Sequence, residues 1–303
     1  MSPINPSPQR LFRSTLWSLA GTVVPMLVAL AAVPWLLHRL GQERLGVLSL
    51  IWVVVGYFSF LDMGLGRAIT VRLASMRAQK DHLQDLECGL LGSALALLLG
   101  FGILAMGVCS LLLACGVLPL KLAVPGLTEE VIGALWWTLP SVPLLLVASA
   151  LRGQMEGLVA FRVLNLIRIP TGTLLVALPC LVAEFSPDLR FASASMLLVR
   201  VVSVTWTWRW LARHGRMGFF EFMGRCADSA HRRYLRDLLT LGGWVTISNV
   251  VGPLIVYMDR FLIGATLGAT AVVGYVVPFD VVSRLPILVA ALASVLLPEI
   301  SRL

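Results

Sequence analysis

The sequence predicts an all-α bundle that crosses a membrane about eight times, and three observations carry the prediction. The 303 residues are 58% hydrophobic and only 13% charged, whereas soluble domains carry roughly 25% charged residues. Mean hydropathy is +0.89. The apolar residues are also gathered into runs of about twenty, the length at which a helix spans the hydrocarbon core of a bilayer. Strands are excluded as the spanning elements, because a membrane barrel alternates polar and apolar residues over about ten positions. Stretches such as 95–113 show no alternation.

The spans read from these runs cover residues 15–37, 47–65, 89–117, 131–150, 163–183, 191–212, 239–263 and 271–297. The first resembles a secretory leader in that Ala29 and Ala31 imitate a cleavage site. Its apolar run continues through 33–37 and further spans follow, so it is expected to be retained. If the N-terminus is cytoplasmic, 17 of the 24 Lys and Arg residues fall on the cytoplasmic side and five on the other, with Arg200 and Arg284 inside spans. Such asymmetry predicts a multi-pass protein with both ends inside.

The same charges decide against several functions. The net charge of +8 is scattered over the ends of apolar runs, without the basic stripe and interleaved aromatics that a nucleic acid requires, so no nucleic-acid partner is expected. The five cysteines are odd in number and irregularly spaced, and most lie inside apolar runs, which predicts free thiols rather than a disulfide framework. Cys226 and His231 lack the further ligands a metal site needs. No HExxH, GxSxG or P-loop lysine is present, and no segment is long enough for a nucleotide-binding domain. The expectation is a transporter driven by a gradient or by its substrate's own energy, with no catalytic residues, no metal and no cofactor.

Three regions follow from the pattern: a six-helix lobe over 1–212, a cytoplasmic linker over 213–238, and the first two helices of a second lobe over 239–303. The linker reads either as an amphipathic surface helix or as a solvated loop. An internal echo supports the division. Leu40-Gly41 and a following Gly46 and Tyr57 are matched by Leu267-Gly268 and a following Gly274-Tyr275, as in transporters built from repeated halves. Prolines recur inside most spans, among them Pro25, Pro34, Pro140, Pro143, Pro170 and Pro179. Each removes a backbone donor, which fits a bundle that must bend.

Ionisable groups inside spans are the sharpest functional signal, because each costs roughly 2.5–3.5 kcal/mol at the bilayer centre. Arg200 lies midway along the sixth span with no acid at helical spacing, and is the candidate for an anionic ligand. Asp280 and Arg284 share a face of the eighth span, four residues apart, and form either a structural ion pair or part of the cavity lining. Arg168 lies near the cytoplasmic end of the fifth span, where it either joins the cavity or snorkels to the surface. Asp62, followed by Gly64, Gly66 and Arg67, suggests a helix end at which two backbones come close. Gly153 and Gly157 have the GxxxG spacing of helix packing.

Residues 36–50, with Leu40-Gly41 and Arg44-Leu45-Gly46 at their centre, together with Gly56-Tyr57 and Asp62-Met63-Gly64-Leu65-Gly66-Arg67, closely resemble the N-terminal signature of bacterial polysaccharide and O-antigen flippases. These belong to the multidrug/oligosaccharidyl-lipid/polysaccharide (MOP) exporter superfamily. Leu151-Arg152-Gly153-Gln154-Met155-Glu156-Gly157, with Asn165 downstream, is similar to that family's motif between helices four and five. Met258-Asp259-Arg260-Phe261 and Gly274-Tyr275 resemble helices seven and eight of its second lobe.

The resemblance implies two lobes around a central cavity in the bacterial inner membrane. It implies alternating access that moves undecaprenyl-pyrophosphate-linked oligosaccharide to the periplasmic leaflet for O-antigen or lipopolysaccharide synthesis, with Na+ or H+ as coupling cation. The expected partners are that lipid-linked oligosaccharide, membrane lipid and polysaccharide-assembly proteins. Arg200 and Arg284 suit its pyrophosphate by their bidentate donors. Family members carry twelve or more spans, so the resemblance also implies a truncated product, inactive or not, or an oligomer that completes the cavity. A multidrug exporter of the superfamily and a membrane polysaccharide polymerase or ligase remain the alternatives.

Overall fold

The computed structural model describes residues 8–58, 62, 64–78, 83–116, 126–158, 160–214, 251, 258–268, 270–279 and 282–283. Every regular element among them is a helix. The first, α1 (Pro8–Phe58), has 51 residues, and a straight helix of that length would run about 77 Å, more than twice the hydrocarbon thickness. Gly41 prevents this. Its φ of 79° and ψ of 170° are non-helical and lie in a region that glycine enters without steric cost. Leu30 and Val33 line one small cavity with Trp52 and Ser49, each pair equidistant from Gly41, so α1 is a hairpin of two antiparallel arms.

The second arm ends at Phe58, and α2 (Leu65–Ala78) follows. The span expected over 47–65 is therefore divided. The reason lies at Asp62, whose Oδ1 accepts the Gly64 backbone N–H at 2.9 Å, while Gly64 itself has φ 64°. The Gly64 carbonyl then accepts the first bond of α2, from the Ala68 N–H. This Asx-type turn competes with continuation of the helix.

After α3 (Leu83–Ala114) come α4 (Thr128–Thr138) and α5 (Ser141–Gly157). These two form one apolar crossing, interrupted beside Pro140, with Pro143 one turn further on. Two residues without N–H donors so close together weaken the helical ladder there. α6 (Phe161–Phe185) keeps Pro170 and Pro179 inside it. α7 (Leu189–Arg213) is capped by Asp188, which accepts the Arg190 N–H at 2.8 Å. A second hairpin joins α8 (258–267) to α9 (Thr270–Phe279). Its turn contains Gly268, at φ 87°, so the sequence echo of Gly41 is also an echo of backbone geometry. Asp280, Arg284 and linker residues 215–238 lie outside the described residues.

Five of the described helical stretches are long and apolar enough to cross a membrane. Their outward faces carry exposed Leu27, Leu104, Leu111, Leu181 and Phe185. That much apolar surface in water would be an aggregation liability; in a bilayer it is the solvated face.

The two larger of three apolar clusters among the described residues hold most of the helices together. One, at the Gly41 end, joins Leu36, Leu40 and Leu48 of α1 to Leu135 of α4, Leu189 and Met196 of α7, and Val273 of α9. The other, at the α5–α6 turn, joins Leu65 and Ile69 of α2 to Leu91 and Leu98 of α3, Leu146 and Met155 of α5, Ile167 of α6 and Leu211 of α7. α6 packs closely on α1 and α7 but only sparsely on α5. A gap is left between α5 and α6.

Three ion pairs rim the Gly41 end. Arg39 pairs with Glu184 of α6, Arg190 of α7 lies 3.8 Å from Glu129 of α4, and Arg44 grips Glu130 of α4 through Nε and Nη2, both at 2.9 Å. The bidentate, half-buried geometry of the last places it at the upper end for such pairs, about 1 kcal/mol. A double-mutant cycle with Arg44→Ala and Glu130→Ala, read by chemical denaturation in detergent, is expected to return a coupling of that size. A coupling indistinguishable from zero would show the pair to be decorative.

Candidate functional site: a cationic pocket between three helices

The gap between α5 and α6, closed by α7, is a pocket of about 170 Å³. Arg152 of α5, Arg168 of α6 and Arg200 of α7 line it, with Thr171, Ser203 and Thr207 among the polar groups and Leu144, Leu145 and Leu175 on the apolar wall. Arg200 lies near the middle of α7. Its Nε is buried and has no hydrogen-bond partner among the described residues. Arg168 and Arg152 are open to the pocket, and the Arg152 Nε makes only a long bond, 3.3 Å, to the Ala148 carbonyl. The three guanidinium groups are near enough to repel, Arg200 against Arg152 and Arg152 against Arg168.

The hydroxyls are tethered to their own helices. Thr171 Oγ1 donates to the Ile167 carbonyl at 2.7 Å, and Thr207 Oγ1 to that of Ser203 at 2.8 Å, which leaves oxygen lone pairs toward the pocket. Clustered cations with no carboxylate among the lining residues are costly unless an anion, water or a neighbouring acid compensates them, and Glu156 and Asp62 lie near enough to Arg152 to offset part of its charge. Chemically, three guanidinium groups lining one pocket can take up an anion presenting several oxygens.

The structure brings Arg168 and Arg200 together and adds Arg152. In the sequence, Arg152 is legible only as part of the 151–157 motif and as a cytoplasmic charge. What brings it in is the register of α5, in which Leu145, Ala148 and Arg152 fall at helical spacing along one face.

The motif residues occupy a different place. On the seam between α2 and α5, Ser149 Oγ donates to Asp62 Oδ2 at 2.6 Å. Thr70 Oγ1 lies 3.1 Å from the Gly66 carbonyl and 3.0 Å from that of Gly153. A Cβ on Gly153 would lie 2.1 Å from the Gly66 carbonyl oxygen, and one on Gly157 would meet Leu73 at 2.7 Å. Thus the segments 62–67 and 151–157, far apart in sequence, are the two sides of one tight helix contact. Gly64 makes the turn. Arg67 is exposed on α2. Asn165 is buried and donates from Nδ2 to the Phe161 carbonyl at 2.9 Å, within its own helix. Asp259 accepts from the Tyr275 hydroxyl across the second hairpin, and the Arg260 guanidinium stands over the Phe279 ring at 5.1 Å. Apart from the exposed Arg67, these residues shape and join helices, and none of them lines the pocket.

Ser149→Ala should therefore loosen the seam without touching the pocket. The expected loss is about 1.5–3 kcal/mol of stability, for one hydrogen bond to a charged group, read by chemical denaturation. An unchanged midpoint would show that Asp62 is held by the Gly64 N–H alone.

The bundle shares its fold with solved transporters of the MOP superfamily. A solved MOP superfamily transporter from Pyrococcus furiosus, described as having a binding pocket of reverse polarity, matches with a TM-score of 0.68 at 20% identity, over 91% of this chain and 61% of its own. The outward-facing form of a multidrug resistance MATE family transporter matches with the same figures. An inward-facing form gives 0.66 at 19% identity, over 93% and 61%. At these identities the likeness is one of fold, and the chain spans about three fifths of the length of these structures. Within that fold class, the chain belongs to the family described as "Polysaccharide biosynthesis protein", whose family model matches residues 11–303. It is also 25% identical over 294 residues to a Shigella flexneri protein named "Putative O-antigen transporter", covering 97% of this chain and 67% of that protein. It is a multi-pass membrane protein of that family.

Proposed function

We propose that the chain serves the translocation of undecaprenyl-pyrophosphate-linked oligosaccharide from the cytoplasmic to the periplasmic leaflet of the bacterial inner membrane, by alternating access coupled to Na+ or H+. Family membership and the O-antigen name of the Shigella relative support this reading. The observation that carries it is the trio Arg152, Arg168 and Arg200, with Arg200 Nε unpartnered among the described residues at mid-span. A pyrophosphate would bring the trio further negative charge and several oxygens at guanidinium spacing. In this reading the N-terminus is cytoplasmic, and Arg152 and Arg168 sit nearer the side from which substrate enters.

The multidrug exporter is the rival, since its solved relatives share the fold. The sign of the pocket separates the two, because a cationic drug would meet three like charges here. A binding experiment decides between them. Titrating farnesyl pyrophosphate, a short isoprenoid pyrophosphate, into the purified protein in detergent is expected to give saturable binding. Arg200→Ala should weaken it about 10- to 100-fold, the value of a hydrogen bond to a charged group, and Arg200→Lys less so. Equal affinity in Arg200→Ala, or preferential binding of ethidium by the unaltered protein, would overturn the assignment.

A further inference from the structure

α7 is two-faced, and only one face is used by the pocket. Arg200, Ser203 and Thr207 turn toward α5 and α6. The opposite side carries Val202, Trp206, Arg209 and Arg213 at intervals of four, three and four residues, which is one helical stripe. Together with Trp210 and His214 it forms a second, shallower recess of about 390 Å³. Its composition is graded. Exposed Leu198, Val201 and Val202 lie deepest along the span, Trp206 comes next, and Arg209, Arg213 and His214 close the end.

Two features set this stripe apart from ordinary topology signals. First, no partner among the described residues offsets its charge. α7 contains no carboxylate, and neither Arg209 nor Arg213 has an ion-pair or hydrogen-bond partner among the described residues. Second, the aromatic part is pre-ordered. The Trp210 and His214 rings stack at 4.3 Å with 30° between their planes, and His214 Nδ1 donates to the Trp210 carbonyl at 2.8 Å. Amphipathic indoles at the level of the headgroups, with basic groups just beyond them, match a lipid along its length.

We infer that this outward stripe of α7 is a binding site for an anionic phospholipid, with the headgroup phosphate between Arg209 and Arg213, the glycerol region against Trp206, and an acyl chain along Val202 and Leu198. The inference requires only that α7 cross a bilayer. It is independent of what the Arg200 pocket carries.

Native mass spectrometry of the purified full chain, titrated separately with phosphatidylglycerol, phosphatidylcholine and inorganic phosphate, tests it. Phosphatidylglycerol is expected to bind more tightly than phosphatidylcholine, and millimolar inorganic phosphate not to displace it. Arg209→Gln/Arg213→Gln should weaken phosphatidylglycerol about thirtyfold, about fivefold for each basic group at a membrane surface, and leave phosphatidylcholine unchanged. Should that variant fail to fold, Arg213→Gln alone, in the exposed last turn, is expected to cost about fivefold. Arg200→Ala should retain full phosphatidylglycerol affinity, and a loss there would move the lipid to the central pocket. That result overturns the inference, as would unchanged affinity in the Arg209/Arg213 variants, equal binding of the two lipids, or displacement by inorganic phosphate.

Discussion

A chain carrying Gly153→Leu is expected to accumulate poorly in the membrane and to lose about 3 kcal/mol or more of stability, the upper range for overpacking a tight contact. A Cβ alone at that position would stand 2.1 Å from the Gly66 carbonyl oxygen and 2.8 Å from the carbonyl carbon, so backbone rather than a flexible side chain would have to move. Pushing α2 from α5 would also break the reach of Thr70 to the Gly153 carbonyl and of Ser149 to Asp62. Gly107→Leu is the matched control, because a Cβ there meets nothing within 4 Å. Detergent-solubilised yield and a denaturation midpoint read both variants. If Gly153→Leu were as stable as Gly107→Leu, the seam would not constrain the packing of α2 on α5.

The second large effect concerns transport. If the chain translocates lipid-linked oligosaccharide as proposed, an allele that complements a strain lacking its O-antigen flippase is expected to lose activity on Arg200→Ala, with a drop of about thirtyfold or more in surface polysaccharide for a normal amount of protein. The reason is desolvation. A guanidinium at mid-span is worth little as a surface charge, but opposite a desolvated phosphate it contributes on the order of 2–5 kcal/mol. Arg200→Lys keeps the charge and loses the bidentate fork, so partial activity is expected. Arg168→Ala, nearer the membrane surface and more exposed, should cost less than Arg200→Ala. Wild-type polysaccharide levels with Arg200→Ala would remove Arg200 from the transport path.

Hydrophobic blocks make the helices legible in the amino-acid sequence alone. The expected spans 163–183 and 191–212 correspond to α6 and α7, with ends moved by only one or two residues. What hydropathy does not show is the interruptions. It gives a continuous span over 47–65, because the Asp62–Gly64 turn is polar by only one residue and its cause is a side-chain hydrogen bond to backbone. Pro140 and Pro143 announce the α4–α5 break more openly. In the pocket, Arg200 is visible because it stands alone in an apolar run. Arg152 is not, because its membership depends on where α5 lies against α6 and α7, a tertiary fact with no local signature. The motif glycines draw attention as a family pattern, and the structure gives their physical reason as a shared seam.

The ion pairs around Gly41 have a bearing on how the protein is made. Arg39 and Arg44 flank a turn in which Glu43 is the local acid, and their paired carboxylates, Glu184 and Glu130, come 145 and 86 residues later in the chain. With the N-terminus cytoplasmic, as proposed, the tip of the first hairpin must pass through the membrane as it leaves the ribosome. It does so with two guanidinium groups whose ion-pair partners have not yet been synthesised, against the usual bias that keeps such groups inside. The hairpin gains those partners only as α4 and then α6 arrive. Assembly of this rim thus follows the order of translation, and the first two arms wait, their ion pairs unmade, for helices that emerge long after them.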